Sequence, residues 1–248
     1  MLKGSRSTRL LVSLIDASEC GAVRACPPDI IDLKNPAEGS LGMPDVDTIS
    51  RTRNLIPGGL PFSVAIGDAV DDSELYIRRA KRAVEAGADI VKVGLFSFAD
   101  GREEAAFLSR LRRGLSVPLV AVWYADRLKR PLCELPEIAA GAGAQGCLID
   151  TYRKDGGRLT DFVTLPDLKS FIERCKELGL FSAVAGGLKE DDTHWISLLR
   201  PDVAGFRGAV ANGKRNEPGL DRERLFRLRN AFTAHHSLRE RGVKVGAI

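Results

Sequence analysis

Eight short apolar runs rich in β-branched residues recur along the chain, at 10–15, 29–33, 62–67, 89–95, 118–124, 146–151, 181–186 and 203–208. Their alternation with other segments limits the possible folds more than any other feature. Most of the intervals have helical spacing. Behind Asp71-Asp72-Ser73-Glu74, an acidic start suited to a first helical turn, Ile77, Ala80, Val84 and Gly87 recur about one turn apart. Comparable segments lie at 103–115, 132–141, 166–177, 189–199 and 221–231, with shorter or looser ones at 17–24 and 45–54. Eight strands alternating with helices predict an α/β chain folded as a single-domain (β/α)8 TIM barrel over 1–248, and the 248 residues suit that fold. A doubly wound open sheet is the rival, but no GxGxxG fingerprint follows an early strand. The phrases EAGADI (85–90), AGAGAQG (140–146) and RPDV (200–203) each end a helix and open a strand, marking successive βα units. The stretch 234–248 is basic without a sustained apolar face and reads as a helix end and tail.

Composition narrows the class of function. With 44% hydrophobic residues the chain can bury a sizeable core. Its 37 basic residues face 33 acidic ones, and the net charge of +4 is too small to argue for nucleic acid or an anionic membrane. The basic residues are interspersed with acids, and no aromatic-rich basic motif occurs. No run approaches the roughly 18 apolar residues of a membrane span, and the opening segment lacks a signal-peptide apolar region, so a cytoplasmic protein is expected. Cys20, Cys26, Cys133, Cys147 and Cys175 are odd in number and form no CxxC pair, as in a reduced chain. Three histidines, His194, His235 and His236, give no metal-ligand spacing, so neither metal nor cofactor is expected. A homo-oligomer is the expectation for a barrel of this kind.

In a TIM barrel the chemistry sits at the C-terminal ends of the strands, so polar residues late in each run are the candidates. Asp32 and Lys34 share one parity on the second run, whereas Ile31 and Leu33 take the other. Lys92 lies between Val91 and Val93, and if the valines pack beneath helices, Lys92 points into the barrel. Asp150 lies late in the sixth run, with Lys154 in the following loop; Tyr124 ends the fifth and Asp126 lies just beyond it. Trp123, of opposite parity, is expected between sheet and helices. A neighbouring cation and partial desolvation lower a lysine pKa and free its amine as a nucleophile, which is the requirement for a Schiff base. The second lysine or a carboxylate would then move protons. The plain alternative is that Lys34 and Lys92 pair with Asp32 and Asp150 as buried ion pairs. For phosphate, Gly186 and Gly187 end the seventh run, Arg207 and Gly208 end the eighth, and Lys214 and Arg215 follow. The glycine pair reads equally well as a tight turn. Arg207 is expected to be an interior guanidinium in need of an anion.

The stretch DIIDLKNPAEGSLG (29–42) resembles the (5-formylfuran-3-yl)methyl phosphate synthase family of methanofuran biosynthesis. The resemblance continues through SVAIGD (63–68), AGADIVKVGL (86–95), YAD (124–126), LIDT (148–151), KDG (154–156), AGG (185–187) and GFRGA (205–209), spanning about 9–230. It implies a lyase that joins two molecules of glyceraldehyde 3-phosphate and aromatises the product. Lys34 matches the family's Schiff-base lysine and Lys92 its proton acceptor. Asp150 and Lys154 match further polar positions, and Asp32 belongs to the same motif as Lys34. Around Cys20–Pro28 the chain departs from the family's pattern, and the basic tail is an addition. Another Schiff-base sugar-phosphate aldolase, or a non-catalytic barrel binding a phosphorylated metabolite, are the competing readings.

Overall fold

The eight runs become eight parallel strands: β1 (Arg9–Leu14), β2 (Ile30–Leu33), β3 (Phe62–Ala69), β4 (Ile90–Leu95), β5 (Leu119–Tyr124), β6 (Gly146–Asp150), β7 (Phe181–Val184) and β8 (Val203–Phe206). In this computed structural model each strand pairs with its chain neighbours and β8 pairs with β1, closing the barrel. The structure describes residues 7–70, 73–153 and 157–240, with backbone alone from 234. Among the described residues eight α-helices alternate with the strands: α1 (Cys20–Ala25), α2 (Val46–Leu55), α3 (Ser73–Glu85), α4 (Gly101–Arg113), α5 (Leu135–Gly141), α6 (Leu165–Glu177), α7 (Thr193–Leu199) and α8 (Arg222–Glu240). The segments expected at 17–24, 132–141 and 189–199 each open with a short 3-10 turn before the α-helix, at Ala17–Glu19, Leu132–Glu134 and Glu190–Asp192. Helix α8 runs to Glu240, beyond the expected end at 231, so the first part of the basic stretch is helical. The expected cap Asp71-Asp72 lies outside the described residues. No described helix is long and apolar enough to cross a membrane.

Strand parity sorts the core into two layers. Val12, Val64, Val91, Val93, Ala121, Trp123 and Ile149 face the helices, whereas Leu11, Ile30, Ile90, Val120, Leu148, Phe181 and Val203 fill the barrel interior. The expectations for Trp123 and for the valines flanking Lys92 hold. Gly146 is small for a packing reason, because a Cβ there would collide with the Phe181 ring that plugs the barrel floor.

One device recurs four times at that floor. The residue preceding each even-numbered strand turns its side chain onto a backbone N–H of the first or second residue of the preceding strand. Asp29 accepts from Leu10 N at 2.8 Å, Asp89 from Phe62 N at 3.0 Å, Gln145 from Leu119 N at 2.9 Å and Asp202 from Ser182 N at 2.8 Å. Three of these residues lie in the repeated phrases 85–90, 140–146 and 200–203, so the repetition has a physical cause. Each clamp satisfies a strand-end donor that would otherwise be buried unpaired, and fixes the stagger between strands. Asp202→Ala strands the Ser182 N–H and its hydroxyl partner, and should lower unfolding free energy by about 1–3 kcal/mol in urea titrations.

Candidate active site

Asp32 is the centre of the charged constellation. Its side chain has no solvent exposure, yet it carries three hydrogen-bonded partners. The Lys92 ammonium lies 2.6 Å from Oδ1, Ser63 Oγ donates to the same oxygen at 2.7 Å, and Ser13 Oγ donates to Oδ2 at 2.8 Å. The register explains the meeting, since Asp32 stands opposite Ser13 on β1 and Ser63 on β3, while Lys92 on β4 stands opposite Ala65 on β3. Burial pushes the Asp32 carboxyl up. The ammonium groups of Lys92 and Lys34, with the hydrogen bonds from Lys92 and Ser63, pull it down more strongly, so it lies below the ordinary carboxylate value.

Lys34 follows the last residue of β2, with its backbone N–H bound to Leu14 O at 3.1 Å. Lys34, Lys92 and Asp150 line one hollow at the barrel mouth, and each is at least nine-tenths buried, at 7%, 5% and 3% exposure. Asp150 accepts the Thr151 N–H at 2.7 Å. The structure therefore gathers Asp32, Lys34, Lys92 and Asp150 at one end of the barrel. Lys154 lies outside the described residues.

Gly186, Gly187, Arg207 and Gly208 line the same hollow. Both members of the glycine pair have positive φ, 104° and 60°, and pack closely against Thr151 and the Gly157 carbonyl, so the tight turn demands glycine at these positions. Arg207 needs a correction. The expected unpaired guanidinium is paired: Nη1 lies 2.6 Å from buried Glu19, Nη1 and Nε donate to the carbonyls of Ser13 and Arg215, and Nη2 donates to Glu217 O. Glu19 in turn accepts the N–H groups of Ile15 and Gly219. Arg207 and Glu19 thus stitch β1 to the segment after β8. Asp126 also has a structural position, accepting Tyr152 N at 2.7 Å and Arg153 N at 2.9 Å to anchor the loop after β6.

A family model described as 4-HFC-P synthase matches residues 10–229. The chain belongs to the 4-HFC-P synthase family. Its relatives include proteins named (5-formylfuran-3-yl)methyl phosphate synthase from Methanosarcina mazei and Methanothermobacter thermautotrophicus. The first is 34% identical over 217 residues, covering 84% of this chain and 92% of that one. The second is 33% identical over 229 residues, covering 89% and 97%. Solved structures with the same fold include 3-hexulose-6-phosphate synthase, with a TM-score of 0.62 and 19% identity, covering 90% of this chain and 99% of that one. Another is phosphoribosyl anthranilate isomerase from Thermus thermophilus, with a TM-score of 0.63, 13% identity and coverage of 92% and 99%. These structural likenesses establish the shared barrel alone.

In this family member the strand-parity argument left out Asp68, which the structure brings to the rim. Parity along β3 predicts an outward Asp68, since Ser63 and Ala65 face inward. The β3–β4 register shifts between Ala65 and Asp68, and Gly67 has φ 124°. A Cβ on Gly67 would point at Tyr76 and Arg79 of α3, so Ile66 and Gly67 both face out and Asp68 swings in. There it accepts a hydrogen bond from the Tyr124 hydroxyl and another from Leu41 N, pinning the loop after β2. Burial raises the Asp68 carboxyl above its ordinary value despite those bonds and the Lys34 charge. Burial, reinforced by Asp68, holds Tyr124 as a phenol, well above 10. The signal that could have found Asp68 is the strand-internal Gly67, a bulge marker.

The Asp32 geometry predicts a pH dependence. Because its folded pKa lies below the unfolded one, near 3.9, its stabilising contribution is complete above that value and is lost as pH falls through the folded pKa. Asp32→Asn leaves the Lys92 ammonium without its counter-charge. At pH 7 it should cost about 3–5 kcal/mol in denaturant unfolding, a deficit that shrinks in wild-type comparisons below about pH 4.

Proposed function

We propose that this enzyme condenses two molecules of glyceraldehyde 3-phosphate into (5-formylfuran-3-yl)methyl phosphate through a Schiff base on Lys34. The carrying observation is that two buried lysines share one hollow with Asp150, and one of them is paired to Asp32. Membership of the 4-HFC-P synthase family and the names of the relatives support the same reading. The atoms balance: two C3 units supply six carbons, one inorganic phosphate and two waters leave, and the second phosphate remains on the hydroxymethyl group.

Lys34 attacks the carbonyl of one triose phosphate to give a carbinolamine. Lys92, resting as an ammonium against the Asp32 carboxylate, donates its proton to the departing hydroxyl, which leaves as water. Lys92 is then a neutral amine and takes the carbon-bound proton next to the iminium, giving the enamine. The enamine expels the phosphate from C3 of the bound triose, and that carbon, now the nucleophilic end of the enol, attacks the C2 carbonyl of the second triose phosphate, which has isomerised to its ketone form. The C1 hydroxyl of the second triose closes onto the C2 carbonyl of the first, two waters leave to aromatise the ring, and hydrolysis of the imine frees the formyl group and restores Lys34. Asp32 keeps Lys92 oriented, while Asp150 and Lys154 serve later proton transfers. The Gly186-Gly187 and Gly208 backbone takes the phosphate of the covalently held triose. The furan's use in a methanofuran-type cofactor follows from the family resemblance.

Incubating the protein with glyceraldehyde 3-phosphate should release inorganic phosphate and build a near-ultraviolet furan-aldehyde band. Borohydride should trap a triose adduct on Lys34. Lys34→Ala should abolish both product and adduct. Lys92→Met should lower product formation by at least about 100-fold, the general acid–base contribution. A trapped adduct with an aldol product and no phosphate release would instead make the chain an ordinary Schiff-base aldolase. Saturable binding with no adduct would make it a binding barrel.

A further inference from the structure

Two hollows open at the barrel mouth and share a wall. The inner one lies over Phe181 and contains Lys92, Asp150 and the Gly186-Gly187 turn. The outer one is bounded by Pro36, Gly39, Ser40, Tyr152 and Asn216. Lys34, Arg207 and Arg215 line both. A reaction that joins two triose phosphates must hold two dianions at once. The glycine turns border the inner hollow, so the outer one depends on the three shared cations.

Those cations are differently engaged. Arg207 is bound to Glu19 and to three backbone carbonyls. Lys34 has to act as a neutral amine in the proposed reaction and provides no lasting counter-charge. The partly buried Arg215 guanidinium has no hydrogen bond or ion pair with any described residue. Its position is nevertheless fixed, because its own carbonyl accepts the Arg207 Nε–H at 3.1 Å. The surroundings leave it short of negative charge: burial first, then the Arg207 charge, depress its pKa, and only the attraction of Asp150 opposes them. A planar guanidinium with free donors at a hollow matches a phosphate through paired hydrogen bonds.

We propose that Arg215 grips the phosphate of the triose that occupies the outer hollow, the one not covalently bound to Lys34. Arg207 is its positioning residue, holding the 215 backbone over the mouth from the Glu19 anchor. Lys34 stands at the shared wall, so the carbon nucleophile formed on it faces the carbonyl of the outer triose phosphate. This assignment rests on the triose condensation proposed above.

The test compares wild type with Arg215→Ala and Arg215→Lys. Furan formation, borohydride trapping on Lys34 and calorimetric binding of inorganic phosphate would be measured for each. Arg215→Ala should form the Lys34 adduct at the wild-type level, while kcat/KM for the furan falls about 10- to 100-fold through a higher KM. It should also lose one of two phosphate-binding events. Arg215→Lys should recover part of both, which separates a phosphate grip from a folding defect. Unchanged phosphate stoichiometry, kcat/KM within twofold of wild type, or equal loss of adduct and furan would each overturn the assignment. A wild type that makes no furan but loses a phosphate site on Arg215→Ala would sink the synthase reading and leave the anion site standing. A wild type that makes furan, with Arg215→Ala indistinguishable from it, would sink the Arg215 assignment alone.

Discussion

A carboxylate without solvent exposure in the middle of a barrel is tolerable only when both oxygens are hydrogen-bonded and a cation stands beside it, and Asp32 meets that condition. Two serine hydroxyls and the Lys92 ammonium complete its coordination, from three different strands. The rest of the site follows from this arrangement. The pair places a buried, oriented lysine beside the strand end that carries Lys34. An ion pair of this kind is poor evidence for stability, since a well-packed apolar pair often does as well.

Around that centre, similar residue types divide into framework and site. Arg207 and Glu19 form a second buried pair, but theirs is a strut: the carboxylate accepts two backbone N–H groups and the guanidinium donates to three carbonyls, so the segment after β8 is tied to β1. Asp126 and Asp68 anchor the loops after β6 and β2 in the same way. Rigid attachment of loops to the barrel rim is what lets residues far apart in the chain hold a common hollow with little motion. The four clamps at the barrel floor do the corresponding work at the opposite end, fixing the strand stagger on which the register of Asp32, Ser63 and Lys92 depends.

Much of this was legible from residues alone because side-chain alternation in a strand is strictly local. The valines beside Lys92 were enough to send the lysine inward, and Trp123 was correctly placed outside by the same rule. Asp68 escaped because a bulge adds one residue and reverses the parity after Gly67, although the glycine inside the strand is the trace such a bulge leaves. Arg207 was misread for a different reason. Its partner Glu19 lies at the other end of the chain, in a short 3-10 turn, and no local pattern announces a contact across 188 residues.

The amino-acid sequence by itself determined the number and order of the strands, most of the faces they present, and the inward placing of Asp32, Lys34 and Lys92, because periods of two and of about 3.6 residues are written in neighbouring positions. Only the tertiary structure decided which charges meet. Barrel closure brings β1, β3 and β4 onto Asp32, engages Arg207 internally and leaves the Arg215 guanidinium without a described partner. Pairing across a closed sheet depends on stagger and on loop anchors, which are sums over the whole chain, and so no single stretch of it could specify them.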